Sequence, residues 1–330
     1  MLESQETSPF CKKYAPMYEL VSSKIRSYER TAEALAGRLL DTNKQFEHLL
    51  ELGSGTGNAT TVFLETISSL QTIYCLEPSE FIEIAQNKQR NDFTDVSYEE
   101  NKSAWNKAWK YVQEMSNRLQ PHKEKLKLIR GNGHTIPLRD QTMEAITMIQ
   151  VFHWLDMNTA LSEFYRVLKP GGIIAFDVSG SRFDFGSEKE KLNTMHVTRH
   201  PFFILFQEKL KNILELKGIH QENTTSSPKF TEEILKKLFE EKGFIRIADK
   251  NRHPYTITIV PYTMEQIYSV AKYGTRMRIG RLMPELLATP ELIDDITSRA
   301  LEETKNIWEE KNKNIPYYAE TFAAFIFQKQ

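Results

Sequence analysis

The chain has 330 residues, 40% of them hydrophobic and 26% charged, and a formal net charge of −1. This is an ordinary globular profile, and a charge near zero gives no global field to draw in nucleic acid or an anionic membrane. The two cysteines, Cys11 and Cys75, are too few for a disulfide framework, and no Cys/His cluster has zinc spacing. The acidic start, Met1-Leu2-Glu3, lacks the apolar run of a signal peptide, and no stretch approaches the roughly 20 apolar residues of a membrane span. A cytoplasmic protein is expected.

Residues 17–40 read as a helix with Leu20, Ile25, Ala32, Leu35 and Leu39 on one face. A strand-like run, His48 to Leu52, ends in a glycine-rich turn, and a helix follows from about Asn58. A second strand, Thr72 to Leu76, ends at Glu77-Pro78, where proline offers no backbone donor. A helix over 79–89 leads into an insertion, 91–122, whose Trp105 and Trp109 share a face if helical. Leu126–Ile129 and Ala145–Ile149 are further strands, the second apolar throughout as a buried parallel strand should be. A helix over 161–168 closes at Lys169-Pro170-Gly171-Gly172, and Ile173–Val178 is the next strand. Helices are expected near 201–217 and 231–242, strand near 244–260, helix over 263–314, and a last strand at Thr321–Phe327.

Alternating strand and helix means a parallel sheet with right-handed crossovers. The expected fold is α/β, a doubly wound, mostly parallel, seven-stranded sheet with a helical cap. Residues 1–262 and 315–330 would form the core, and 263–314 a cap inserted before the last strand. Such a sheet binds its ligand beyond the carboxyl ends of its strands, so the loops after Leu52, Leu76, Ile129 and Ile149 should share one crevice.

Glu51-Leu52-Gly53-Ser54-Gly55-Thr56-Gly57 is the strongest signal. Glycines at alternate positions allow positive φ and close approach of backbone to a ligand, and the helix behind them favours a negative group. A P-loop would need Gly-Lys-Ser/Thr at its end, but Asn58 follows Gly57. The dinucleotide fingerprint would need Gly or Ala at position 58, and fails there too. The acidic-x-Gly-x-Gly-x-Gly turn resembles motif I of the class I S-adenosylmethionine-dependent methyltransferases.

The resemblance extends along the chain. Glu77 stands where the family has an acidic residue for the two ribose hydroxyls, with Pro78 next to it. Gly131-Asn132-Gly133-His134-Thr135-Ile136-Pro137-Leu138 looks like the family's G-D-A-x-x-[IL]-P-[FL] segment. It implies that Asn132 meets the adenine amine, through an uncharged amide in place of Asp, and that Gly133 lies beside the ring. Glu163-Phe164-Tyr165-Arg166-Val167-Leu168-Lys169-Pro170-Gly171-Gly172 matches the E-x-x-R-V-L-K-P-G-G segment of UbiE-like and trans-aconitate-type small-molecule methyltransferases, with a structural role. The resemblance implies S-adenosyl-L-methionine as cofactor, held by Glu51, Gly53, Ser54, Gly55, Gly57, Glu77, Pro78, Asn132, Gly133 and Gln150, with Tyr14 folding over it.

The loop Gln150–Asp156 would face the methyl group. Phe152 and Trp154 are candidate walls of the acceptor pocket, as are Tyr273 and Arg276 from the cap. Histidine is the one titratable residue type in this loop whose free pKa lies near neutrality, so His153 is the candidate general base; packing without proton transfer is the alternative. Asp156 suits a helix N-cap. The expected partner is a small, acidic or partly apolar methyl acceptor. The alternatives are a protein or RNA methyltransferase, which the missing basic-aromatic stripe disfavours, and a non-catalytic cofactor-binding regulator.

Overall fold

A computed structural model describes residues 15–94, 102–179, 182–185, 201–219, 230–248, 255–275, 290–311 and 318–330. Two helices, α1 (Ala15–Ile25) and α2 (Ser27–Leu40), precede β1 (His48–Leu52). Then come α3 (Asn58–Thr66), β2 (Thr72–Glu77), α4 (Phe81–Arg90), α5 (Lys102–Leu119), β3 (Leu126–Arg130), β4 (Met143–Met148), α6 (Met157–Val167) and β5 (Leu168–Ser179). The remainder holds α7 (Pro201–Leu216), α8 (Glu232–Glu240), β6 (Phe244–Arg246), β7 (Thr256–Tyr262), α9 (Met264–Ser269), α10 (Pro290–Lys311) and β8 (Tyr318–Lys329).

The sheet follows a seven-strand path, β3-β2-β1-β4-β5-β8-β6, and an eighth strand, β7, pairs with β8 off this path. Strands β1 to β5 run parallel, and β8 is antiparallel to β5. Strand β8 is 12 residues long, enough to pair β6 at its far end and β7 at its near end. The strand order reverses between β1 and β4, which puts the switch point, and the crevice it opens, at the carboxyl ends of those two strands.

Period-2 alternation divides the core into two layers. Leu49, Ile73, Ala145, Ile173, Ala175, Ala324 and Ile326 pack on one face with α2 and α3. Leu50, Leu76, Ile146, Met148, Ile174, Phe176, Phe325 and Phe327 pack on the other with α6 and α8. On that face Phe239 of α8 stacks on Phe327 at 4.0 Å and on Phe176 at 5.2 Å.

The expected single helix over 17–40 is two, because Arg26 takes a left-handed conformation, φ 48°. Its guanidinium is held by Glu114 of α5 at 2.6 Å and by Glu29 at 3.3 Å, and lies over the Tyr111 ring. Helix α1 is buried nearly all round. Its Met17 and Leu20 meet α5, where Trp105 and Trp109 sit 5.3 Å apart. Its Val21 and Ile25 join a second apolar cluster with α7, α9 and α10, built on Phe202, Phe206, Ile267, Ile293, Ile296 and Trp308. Helices α9 and α10 therefore do not pack alone; α7 and α1 share their core. No helix among the described residues is long and apolar enough to cross a membrane.

Candidate cofactor site at the strand switch

The turn after β1 is built on three left-handed glycines, Gly53 (φ 63°), Gly55 (φ 56°) and Gly57 (φ 82°). A side chain is strained there by conformation, and at Gly53 also by space: an added Cβ would lie 2.3 Å from Val151 Cγ2. Val151 follows β4, so this contact joins the two loops across the switch point. Gly53 N–H also donates to Leu76 O at 2.7 Å, tying the turn to the end of β2.

Glu77 closes the far side. Its carboxylate is buried and accepts Gly55 N–H at 2.8 Å and Ser79 N–H at 2.9 Å. A carboxylate has about four lone-pair sites, so acceptor capacity remains on both oxygens. Pro78 is exposed beside it. Glu51 lies one layer beneath, 2% exposed, accepting from Thr60 Oγ1 at 2.5 Å and facing Cys75 Sγ at 3.5 Å. Burial pushes its carboxyl up to about 7; the Thr60 and Cys75 contacts oppose that and the charge of Glu77 adds to it.

Helix α3 starts at Gly57 with no side-chain cap, which leaves its first amides for a ligand. The hydroxyls of Ser54 and Thr56 are buried around it, and Thr56 Oγ1 and Asn58 Nδ2 have no hydrogen-bond partner among the described residues. Buried polar atoms rarely stay unpaired. Their place suits the zwitterionic end of an amino-acid-bearing nucleoside. Lys88, fully buried, donates to Asn58 Oδ1 at 2.7 Å, to Glu19 Oε1 at 2.8 Å and to Thr56 O at 3.1 Å. Burial lowers its pKa, and the Glu19 charge opposes that. Tyr18 covers the turn from α1, its hydroxyl 3.5 Å from where a Cβ on Gly55 would stand. Burial raises its pKa well above the usual phenol range, so it stays a donor.

The segment 131–138 meets the same edge. Gly131 N–H donates to Glu77 O at 3.2 Å, and a Cβ on Gly133 would lie 3.2 Å from Leu155 and 3.7 Å from Leu52. Asn132 is exposed, and its Oδ1 accepts His134 N–H at 3.0 Å. The atom expected to meet the adenine amine thus shapes its own turn first and keeps one lone pair.

Gln150 adopts φ 57°, and its backbone N–H donates to Asp177 Oδ1 at 2.7 Å while its side-chain amide donates to Asp177 Oδ2. Asp177 is fully buried, and burial pushes its carboxyl up to about 6 against those two hydrogen bonds. The sequence reading missed this residue; the signal was a lone carboxylate in the apolar run 173–178. It also missed Glu19 and Lys88, because nothing in the spacing of a charged helix residue says that it turns inward.

His153 is half-buried and Trp154 is 43% exposed on a short 3-10 turn, their rings 5.1 Å apart. Phe152 is corrected: its ring points into the core, stacked on Phe176 at 4.7 Å and edge-on to Phe230, so it does not wall the crevice. Asp156 caps α6, accepting from Asn158 N–H at 3.3 Å. Tyr273 lies half-buried between the α5 cluster and the cap cluster. Tyr14 and Arg276 lie outside the described residues. No group of His, Cys, Asp and Glu suited to a metal occurs among the described residues.

Residues 50–176 match the family described as methyltransferase domain. An uncharacterised methyltransferase of Schizosaccharomyces pombe is 44% identical over 45 residues, 14% of this chain and 18% of that protein. The malonyl-[acyl-carrier protein] O-methyltransferase of Methylococcus capsulatus is 34% identical over 62 residues, 18% of this chain and 22% of that protein. The chain thus spans about a fifth of the length of these curated relatives. The crystal structure of the [4+2]-cyclase SpnF superposes with TM-score 0.52 at 14% identity, covering 96% of this chain and 93% of that one. That likeness concerns the fold alone.

Proposed function

We propose that this chain, whose residues 50–176 match a methyltransferase-domain family, uses S-adenosylmethionine to move a methyl group to a small, acidic or partly apolar acceptor by in-line displacement in the cytoplasm. The observation that carries this reading is the hydrogen bond from Gly55 N–H to Glu77 across a turn of three left-handed glycines. It sets a buried acceptor for ribose hydroxyls beside a backbone cradle that a Cβ would fill. Unpaired Thr56 Oγ1 and Asn58 Nδ2 fit the amino-acid end, and Asn132 and Gly133 fit the adenine.

When bound, S-adenosylmethionine supplies a methyl group already activated on a sulfonium. The chain then has only to align the acceptor atom and exclude water. His153 and Trp154 stand on the loop after β4, which runs beside Gly53 through Val151. His153 takes the proton from a hydroxyl or amine acceptor; a carboxylate acceptor needs no base. The likeness to an O-methyltransferase of malonyl-[acyl-carrier protein] over 62 residues supports an oxygen acceptor of the carboxylate kind. Tyr273, half-buried between two apolar clusters, is a candidate wall of that pocket.

The fold alone does not fix the reaction, so the test is turnover. Incubation with S-adenosylmethionine and a panel of small carboxylic acids should give acceptor-dependent S-adenosylhomocysteine. Bound cofactor with no product from any small acceptor, together with salt-dependent RNA binding, would overturn the small-molecule reading.

A further inference from the structure

The E-x-x-R pair of α6 does more than close a helix. Arg166 Nη2 donates to Ile136 O and Nη1 donates to Leu138 O, both at 2.8 Å. Nη1 also reaches Asp140 at 2.7 Å. Its Nε and Nη2 pair in a fork with Glu163 at 2.8 and 2.7 Å, and Glu163 Oε2 accepts Ile136 N–H at 2.8 Å. One ion pair therefore holds the N–H and C=O of Ile136 and the C=O of Leu138. A planar guanidinium can do this; a lysine, with one nitrogen, cannot. At the start of α6, Asp156 N–H donates to His134 Nε2 at 2.9 Å. Three contact points on one helix, at 156, 163 and 166, thus splint the segment 134–140.

That segment continues directly from Asn132 and Gly133, and Gly133 is packed against Leu155 at the foot of the same helix. We infer that Glu163 and Arg166 are positioning residues of the cofactor site: they fix the adenine-facing turn at Asn132–Gly133 in its binding geometry before the nucleoside arrives. The inference rests on the S-adenosyl reading of the site. It assigns adenine discrimination to a side-chain pair that acts through the backbone of 136–138. The half-buried fork acts here through geometry, by holding backbone atoms of the segment in place.

Binding of S-adenosylhomocysteine and of S-inosylhomocysteine, in which a carbonyl replaces the adenine amine, tests it on the full chain by calorimetry. R166Q should weaken the adenosyl ligand about tenfold and shrink its preference over the inosyl ligand; E163Q should act the same way by a smaller factor. R166K restores charge without the fork and should not rescue the preference. Hydrogen exchange at the Ile136 amide should speed up in R166Q and E163Q, which reads the splint without any ligand. Unchanged exchange, or equal weakening of both ligands, would overturn the inference. Wild-type protein that ignores both nucleosides would overturn the cofactor reading itself and so remove this ligand, while the exchange result still reports the splint.

Discussion

The two regions above the sheet are built on different physics. Around the glycine turn, backbone does the work: left-handed glycines, amides donated to Glu77, and carbonyls held by Lys88 and Arg166. In the cluster that α7 shares with α1, α9 and α10, side chains do it: Phe202, Phe206, Ile296 and Trp308 pack together. The first kind of structure constrains residue identity, since few residues tolerate φ > 0 or offer two acceptors. The second constrains only volume and apolarity, which many sequences satisfy. Binding should accordingly break at single positions in the turn, and only stability should break in the cap.

Gly53→Ala gives the largest expected effect. The new Cβ meets Val151 Cγ2 at 2.3 Å in a left-handed conformation, so affinity for S-adenosylhomocysteine should fall by about 100-fold or more. Adding Val151→Ala should recover part of it, which separates the clash from the backbone strain. Trp308→Ala removes a large ring packed edge-on against Phe202 at 5.6 Å and should cost about 3–5 kcal/mol in denaturant unfolding. Its cofactor affinity should stay within about twofold of wild type. A larger loss would mean that Val21 and Ile25 of α1 carry cap packing to the glycine turn.

Glu51 supplies a pH signature. Its folded pKa, about 7, lies above the ordinary carboxylate value, so the protonated form is favoured by folding. The stability it contributes is present below about pH 4.5 and is lost as pH rises through about 7. Glu51→Gln should therefore gain on wild type by about 2–3 kcal/mol between pH 5 and pH 8 in urea titrations. A constant difference across that range would contradict the buried-carboxyl account. Glu77→Gln has the smallest expected effect. An amide oxygen can satisfy Gly55 or Ser79 but carries no charge, so affinity should drop about tenfold.

The contrast also explains what the sequence made legible. Alternating strands and helices, and the glycine turn at their first junction, stood out because backbone geometry demands glycine and period-2 alternation there. The break at Arg26 was hidden, since it depends on Glu114 of a helix that lies 88 residues away in sequence. Phe152 was misread because an apolar residue in a crevice loop looks the same whether it faces ligand or core; only the partner rings of Phe176 and Phe230 decide. Strand β7 was blurred with β6 in one stretch, because both pair with the same long β8.

Calorimetric titration of the full, folded chain with S-adenosylhomocysteine tests the central claim most directly. A single saturable site for that nucleoside, weakened about 100-fold or more in Gly53→Ala, is the predicted result. A wild-type chain that binds a different nucleotide, such as a nicotinamide dinucleotide, and gives no heat with S-adenosylhomocysteine would contradict it.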